Sequence, residues 1–177
     1  IFLGDEKINA VSALWRKNEK EVTDAERTEF YKFVSNEYED PLGHLHLSIE
    51  GVGASFKALI FIPKNAPFNL MQVQEQKSLH LYSNKILIQD DCKDLLPEYL
   101  RFCKGVVDTA DLPLNVSREV TQSSPVMAKI KSALTVKILT LLKVWANKDN
   151  EKYMTFYKNF GPLFKTGINA DFTNKDK

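Results

Sequence analysis

The chain has 177 residues, 44% of them apolar and 27% charged, with 24 basic against 23 acidic side chains and a net charge of +1. That balance fits a globular protein of one or two domains and argues against an electrostatic nucleic-acid binder, which carries a basic excess or stripe. Apolar runs such as Ala58 to Pro63 fall far short of the roughly 20 residues that cross a bilayer, so no membrane span is expected. Two cysteines, Cys92 and Cys103, are too few for a disulfide framework and fit a reduced, cytoplasmic setting. No export leader is legible, and Ile1 reads as the start of a piece cut from a longer protein.

Ile8 to Trp15 could be extended, whereas Arg16 to Asp24 is too charged for a strand. Thr23 and Glu26 have the spacing of a capping box. Behind them Phe30, Phe33 and Val34 recur at helical spacing, which predicts an amphipathic helix from about Asp24 to Ser35. Leu45, Leu47 and Ile49 alternate with His44, His46 and Ser48, the period of a strand with one wet face. Gly51 and Gly53 mark a turn, and the apolar run Phe56 to Pro63 predicts a strand near the middle of a sheet. A third strand region spans Leu79 to Gln89. Asp90 and Asp91 are then expected to cap a helix carrying Leu95, Leu96, Tyr99, Leu100 and Phe102, before Gly105-Val106-Val107 returns toward the sheet.

A loop with Pro113 follows, with a helical turn near Ser117 to Gln122. Ser124-Pro125 opens a long helix as N-cap and first helical residue. Val126, Ile130, Leu134, Ile138, Leu141, Leu142 and Trp145 mark one of its faces. A second helix carries Tyr153, Phe156, Tyr157 and Phe160, and Gly161-Pro162 is expected to interrupt it. Interleaved strands and helices argue for an α/β fold to about residue 120, followed by a helical segment over 121–177.

The common catalytic signatures are missing: no GxxxxGK[ST] loop, HExxH, GxSxG or paired CxxC occurs. His44 and His46 share a strand face and could meet one metal, but no third ligand is evident and solvent-facing histidines are the favoured reading. Cys103 lacks an identifiable base and reads as a buried structural thiol. The segment DTADLPLNVSREVTQ, Asp108 to Gln122, places Asn115, Arg118 and Gln122 in a loop leading into a helix, with Arg118 and Gln122 one turn apart. An arginine there can offer a planar fork of donors to a phosphate; taken alone, a surface ion pair is the simpler reading.

That segment, with EVTDAERTEFYKFVS, YEDPLGHLHLSIEG, ALIFIPKNAPFNL and LLPEYLRFCKGVVD, closely resembles the middle domain of the ninety-kilodalton heat-shock chaperone family, in its bacterial form. The resemblance runs in order from about Leu14 to Gly167 and implies a layered α-β-α unit, ribosomal-protein-S5-domain-2-like, with the smaller second α/β part of the middle domain missing. It implies an ATP-dependent chaperone that assists the folding of client proteins. ATP and Mg2+ are bound by an absent N-terminal domain, a C-terminal domain forms the homodimer, and this fragment alone is expected to hydrolyse nothing. Arg118 matches the arginine that reaches the ATP γ-phosphate when the N-terminal domain closes, with Gln122 and Asn115 beside it in the catalytic loop. Phe68 matches an aromatic of domain docking, and Trp15, in LWRKN, an exposed tryptophan linked to client contact, although a tryptophan beside an apolar strand can equally pack inward.

Two departures fall on surface motifs: where many relatives carry two basic residues after an LYV-type tripeptide, this chain has Ser83-Asn84-Lys85, and Asn69-Leu70-Met71 lacks the family's second aromatic. Competing readings are a non-catalytic protein-interaction module and the transducer domain of a related Bergerat-fold ATPase. Transducer domains usually present a lysine to the phosphate, so the arginine-centred loop disfavours that reading.

Overall fold

The computed structural model describes residues 13–51, 53–67, 77–112 and 124–176. The first helix, α1 (Asp24–Ser35), starts where the capping box requires: Glu26 N donates to Thr23 Oγ1 at 3.2 Å and Thr23 N donates to Glu26 Oε2 at 2.8 Å. The hydrogen bond from the Thr23 backbone N–H, and next the one from Lys17 Nζ, pull the Glu26 carboxyl down to about 2. Asn36 ends the helix in the left-handed region at φ 58°, a conformation asparagine tolerates.

Among the described residues five strands follow: β1 (Gly43–Ile49), β2 (Phe56–Ile62), β3 (Leu79–Ser83), β4 (Ile86–Gln89) and β5 (Lys104–Thr109). They form one sheet in the order β1-β2-β5-β3-β4, antiparallel except where β3 runs parallel to β5. The region expected as a third strand is thus a hairpin. Asn84 and Lys85 turn it with φ of 51° and 70°, the two positive values that a tight two-residue turn demands.

β2 reads as a continuous apolar run because the sheet is covered on both faces. Leu59 and Phe61, with Val106 of β5, pack against Leu14, Trp15, Val22, Phe30 and Tyr31. Ala58, Ile60 and Ile62, with Leu79, Leu81 and Val107, pack against the long helices α2 (Pro125–Lys148) and α3 (Asn150–Ala170). The α/β class is as expected.

Three local expectations are corrected. Leu14–Arg16, which takes in the end of the segment expected to be extended, is a single 3-10 turn preceded by Ala13 in the left-handed region at φ 46°; residues 8–12 lie outside the described residues. No helix follows Asp90. The chain makes two 3-10 turns, Lys93–Leu95 and Glu98–Leu100, because Pro97 holds Leu96 in extended backbone (φ −135°, ψ 149°) between them. Its two aspartates are occupied elsewhere: Asp90 pairs with Lys77, and Asp91 Oδ1 accepts Ser78 N at 3.0 Å.

Nor does Gly161-Pro162 interrupt α3, which runs unbroken to Ala170. The proline removes one backbone donor, but Phe156, Phe160 and Leu163 around it are buried and hold the helix against the sheet. At the head of α2, Ser124 occupies the N-cap with Pro125 next, as the sequence predicts. Its hydroxyl caps nothing and is buried without a partner.

Candidate functional site

Asn115, Arg118, Gln122 and Phe68 lie outside the described residues, as does the boundary near residue 120. What is placed are the residues on either side of 113–123. Before it comes β5, the middle one of the five described strands. There Thr109 Oγ1 donates to Ser55 O at 2.8 Å, Asp111 N donates to Thr109 Oγ1 at 3.2 Å, and Ser55 N donates to Asp111 Oδ2 at 2.6 Å. Leu112 is buried in the helical-side core, and at the exit Ser124 is 5% exposed. Both stems are therefore tied into the fold.

The charge at the end of β5 is Asp108, whose side chain is 0% exposed. Its Oδ2 accepts Trp15 Nε1 at 2.9 Å and Arg16 Nε at 2.6 Å, and Lys85 N lies 3.5 Å from Oδ1. Burial alone would raise the Asp108 carboxyl; the Arg16 and Trp15 hydrogen bonds outweigh it and hold the group below the ordinary carboxylate range. The same hydrogen bond raises the Arg16 guanidinium. A carboxylate so engaged is no general base. It is a fastener that ties the Leu14–Arg16 turn to the strand that launches the loop.

Trp15 is accordingly not an exposed contact. It is 5% exposed, with its ring centroid 4.9 Å from Tyr82 and 5.8 Å from Phe30. Placing both its ring and its one N–H inside the fold satisfies the indole completely, so it packs inward.

His44 and His46 sit opposite Phe61 and Leu59 on the α1 face, half-buried rather than solvent-facing, and burial depresses both imidazoles. Among the described residues no group of three or more His, Cys, Asp or Glu is placed to hold a metal ion. Both cysteines are free and buried; burial pushes the Cys92 thiol up to about 11 and the Cys103 thiol up as well. No described helix is long and apolar enough to cross a membrane.

Sequence alone does not single out Asp108 and Arg16 as a pair. The available signal was a carboxylate one residue from the end of the apolar run Gly105-Val106-Val107, a position that must be paired if it is buried. Its partners lie more than 90 residues away, so spacing could not name them.

A family model described as Hsp90 protein matches residues 2–177. Bacterial relatives named Chaperone protein HtpG are 56% identical in Chlorobium phaeovibrioides and 57% in Chlorobium phaeobacteroides, each over 100% of this chain and 29% of the relative. The HtpG of Geobacter sulfurreducens is 44% identical over 98% of this chain and 26% of its own length. The chain thus spans less than a third of the length of the relatives it matches.

Proposed function

Because the chain belongs to the Hsp90 family, we propose that it is the middle-domain segment of a cytoplasmic ATP-dependent chaperone, ribosomal-protein-S5-domain-2-like in its layering, which supplies Arg118 to a nucleotide site on another domain. ATP and Mg2+ belong to that N-terminal domain, and dimerisation to a C-terminal one. As charge develops on the transferring phosphoryl group, a guanidinium from a neighbouring domain stabilises it, an effect of about 10³–10⁵ in rate where arginine fingers act in other nucleotide hydrolases. Gln122 reaches the same phosphate from one turn on, and Asn115 holds the loop. Phe68 serves domain docking. Trp15 enters as the anchor of the stem rather than as a client contact through its ring.

The observation that carries this reading is the bracing of the loop stems. Thr109, Asp111 and Leu112 on one side and Ser124 on the other fix where residues 113–123 leave and rejoin the fold. With the flanking residues held in place, domain closure would supply the approach of Arg118 to the phosphate. The test is restoration: this chain added to the separately prepared N-terminal domain should raise its ATP hydrolysis, and an Arg118→Ala chain should not. Equal stimulation by both removes the arginine from the mechanism.

A further inference from the structure

Among the described residues the sheet has two outer strands, and they differ in how they are protected. β4 is four residues long, carries a register shift between Leu81 and Tyr82 on its partner strand, and begins beside Lys85; shortness, irregularity and a flanking lysine all blunt an edge. β1 has none of these devices. Its seven residues, GHLHLSI, include no proline and no lysine, arginine or carboxylate. Seven consecutive register pairs from Gly43↔Ile62 to Ile49↔Phe56 hold it straight against β2. Among the described residues no strand pairs with its outer side. Alternate residues of such an edge turn backbone N–H and C=O groups outward, a template for one more strand.

We infer that the outer edge of β1 receives an extended segment of another polypeptide by antiparallel strand addition. This rests on the chaperone reading, in which the partner is an unfolded client. Side chains define the segment further. Leu45, Leu47 and Ile49 lie on the helical face, and His44, His46 and Ser48 on the α1 face. A fitting segment therefore alternates, with its apolar residues toward α2 and α3. Lys152 lies beside Gly43 at one end and exposed Glu50 follows Ile49 at the other, so an antiparallel occupant carries a cation early and a carboxylate late. Main-chain pairing supplies affinity without demanding a sequence, which suits a binder of many clients.

The probe is acetyl-Lys-Val-Thr-Val-Thr-Val-Thr-Glu-amide, which sets lysine opposite Glu50, the valines opposite Ile49, Leu47 and Leu45, and glutamate opposite Gly43 beside Lys152; it is added to the 177-residue chain while amide hydrogen exchange is followed. Binding should slow exchange at alternate amides of residues 43–49 and leave 86–89 unchanged. Methylating a single peptide nitrogen on the edge that faces β1 should weaken binding about fivefold, since one lost hydrogen bond is worth about 1 kcal/mol and each 1.4 kcal/mol is tenfold. Ser48→Lys, a gatekeeper at an exposed position, should weaken it similarly, while Ser48→Thr should not. Protection at β4 instead, equal affinity for the methylated peptide, or a free chain whose β1 amides are already covered in a dimer would each overturn the inference. Suppression of client aggregation separates the two readings. If Ser48→Lys suppresses as well as the parent, the edge proposal falls and the chaperone reading stands. If the parent binds the probe at β1 yet suppresses nothing, the reverse holds.

Discussion

Asp108 shows how one residue links distant parts of the chain. Replacing it with asparagine leaves Arg16 without its counter-charge beside a buried amide, and should cost about 3 kcal/mol in urea unfolding, the lower end for a broken buried pair because Arg16 is one-third exposed. The folded carboxyl titrates below its unfolded value, so its contribution is fully present above the ordinary carboxylate range and is lost as the pH falls through the lowered value. Asp108→Asn should therefore flatten the acid limb of the stability profile below about pH 4 and leave the slope near neutrality unchanged. The cysteines give a second check. With both thiols buried and held protonated, a thiol-reactive dye at pH 8 should label neither until denaturant unfolds the chain. Fast labelling of the native chain would contradict the burial of Cys92 and Cys103. The burial of Cys103 was legible from sequence, since a thiol with no identifiable base reads as a packing residue; that of Cys92 was not. Trp15 was legible only as a choice between inside and outside.

At the scale of the element, α1 was readable to its boundaries because its signals are local: Thr23 and Glu26 are three residues apart. Thr23→Ala removes the acceptor for Glu26 N and should lower stability by about 1 kcal/mol, read as a fall of about 2–4 °C in Tm. β5 is decided by contacts across the sheet instead. Gly105 has φ of +140°, and a Cβ there would run into the Leu59 carbonyl oxygen and lie 3.0 Å from Ile60 Cα. Gly105→Ala should cost more than about 3 kcal/mol and leave the chain largely insoluble on expression; a soluble variant with near-parental urea midpoint would show that β2 yields more readily than the packing allows. The expected helix after Asp90 failed because Pro97 intervened and both aspartates were taken by Lys77 and Ser78. The expected break at Pro162 failed because neighbouring aromatic burial outweighs one missing hydrogen bond. In both, tertiary contacts overrode a local rule.

For the whole molecule, a chain that read as an α/β part followed by a helical part shares one sheet between two cores. Trp15 reports the α1 side and Trp145 the side of α2 and α3, while β2 and β5 contribute residues to both. Single-tryptophan variants, Trp15→Phe and Trp145→Phe, should unfold with fluorescence transitions at a common fraction of their own circular-dichroism midpoints. A helical layer melting at lower urea would show that 124–176 is a separable unit. By itself the sequence determined the α/β class, the capped helix, the apolar faces and, through its long ordered motifs, the family, because each depends on residues close together in the chain. Only the tertiary structure decided that Trp15 is buried, that Asp108 fastens the N-terminal turn to β5, and that β1 is an outer strand among the described residues. These depend on pairing residues tens of positions apart, and no local periodicity specifies which distant groups will meet.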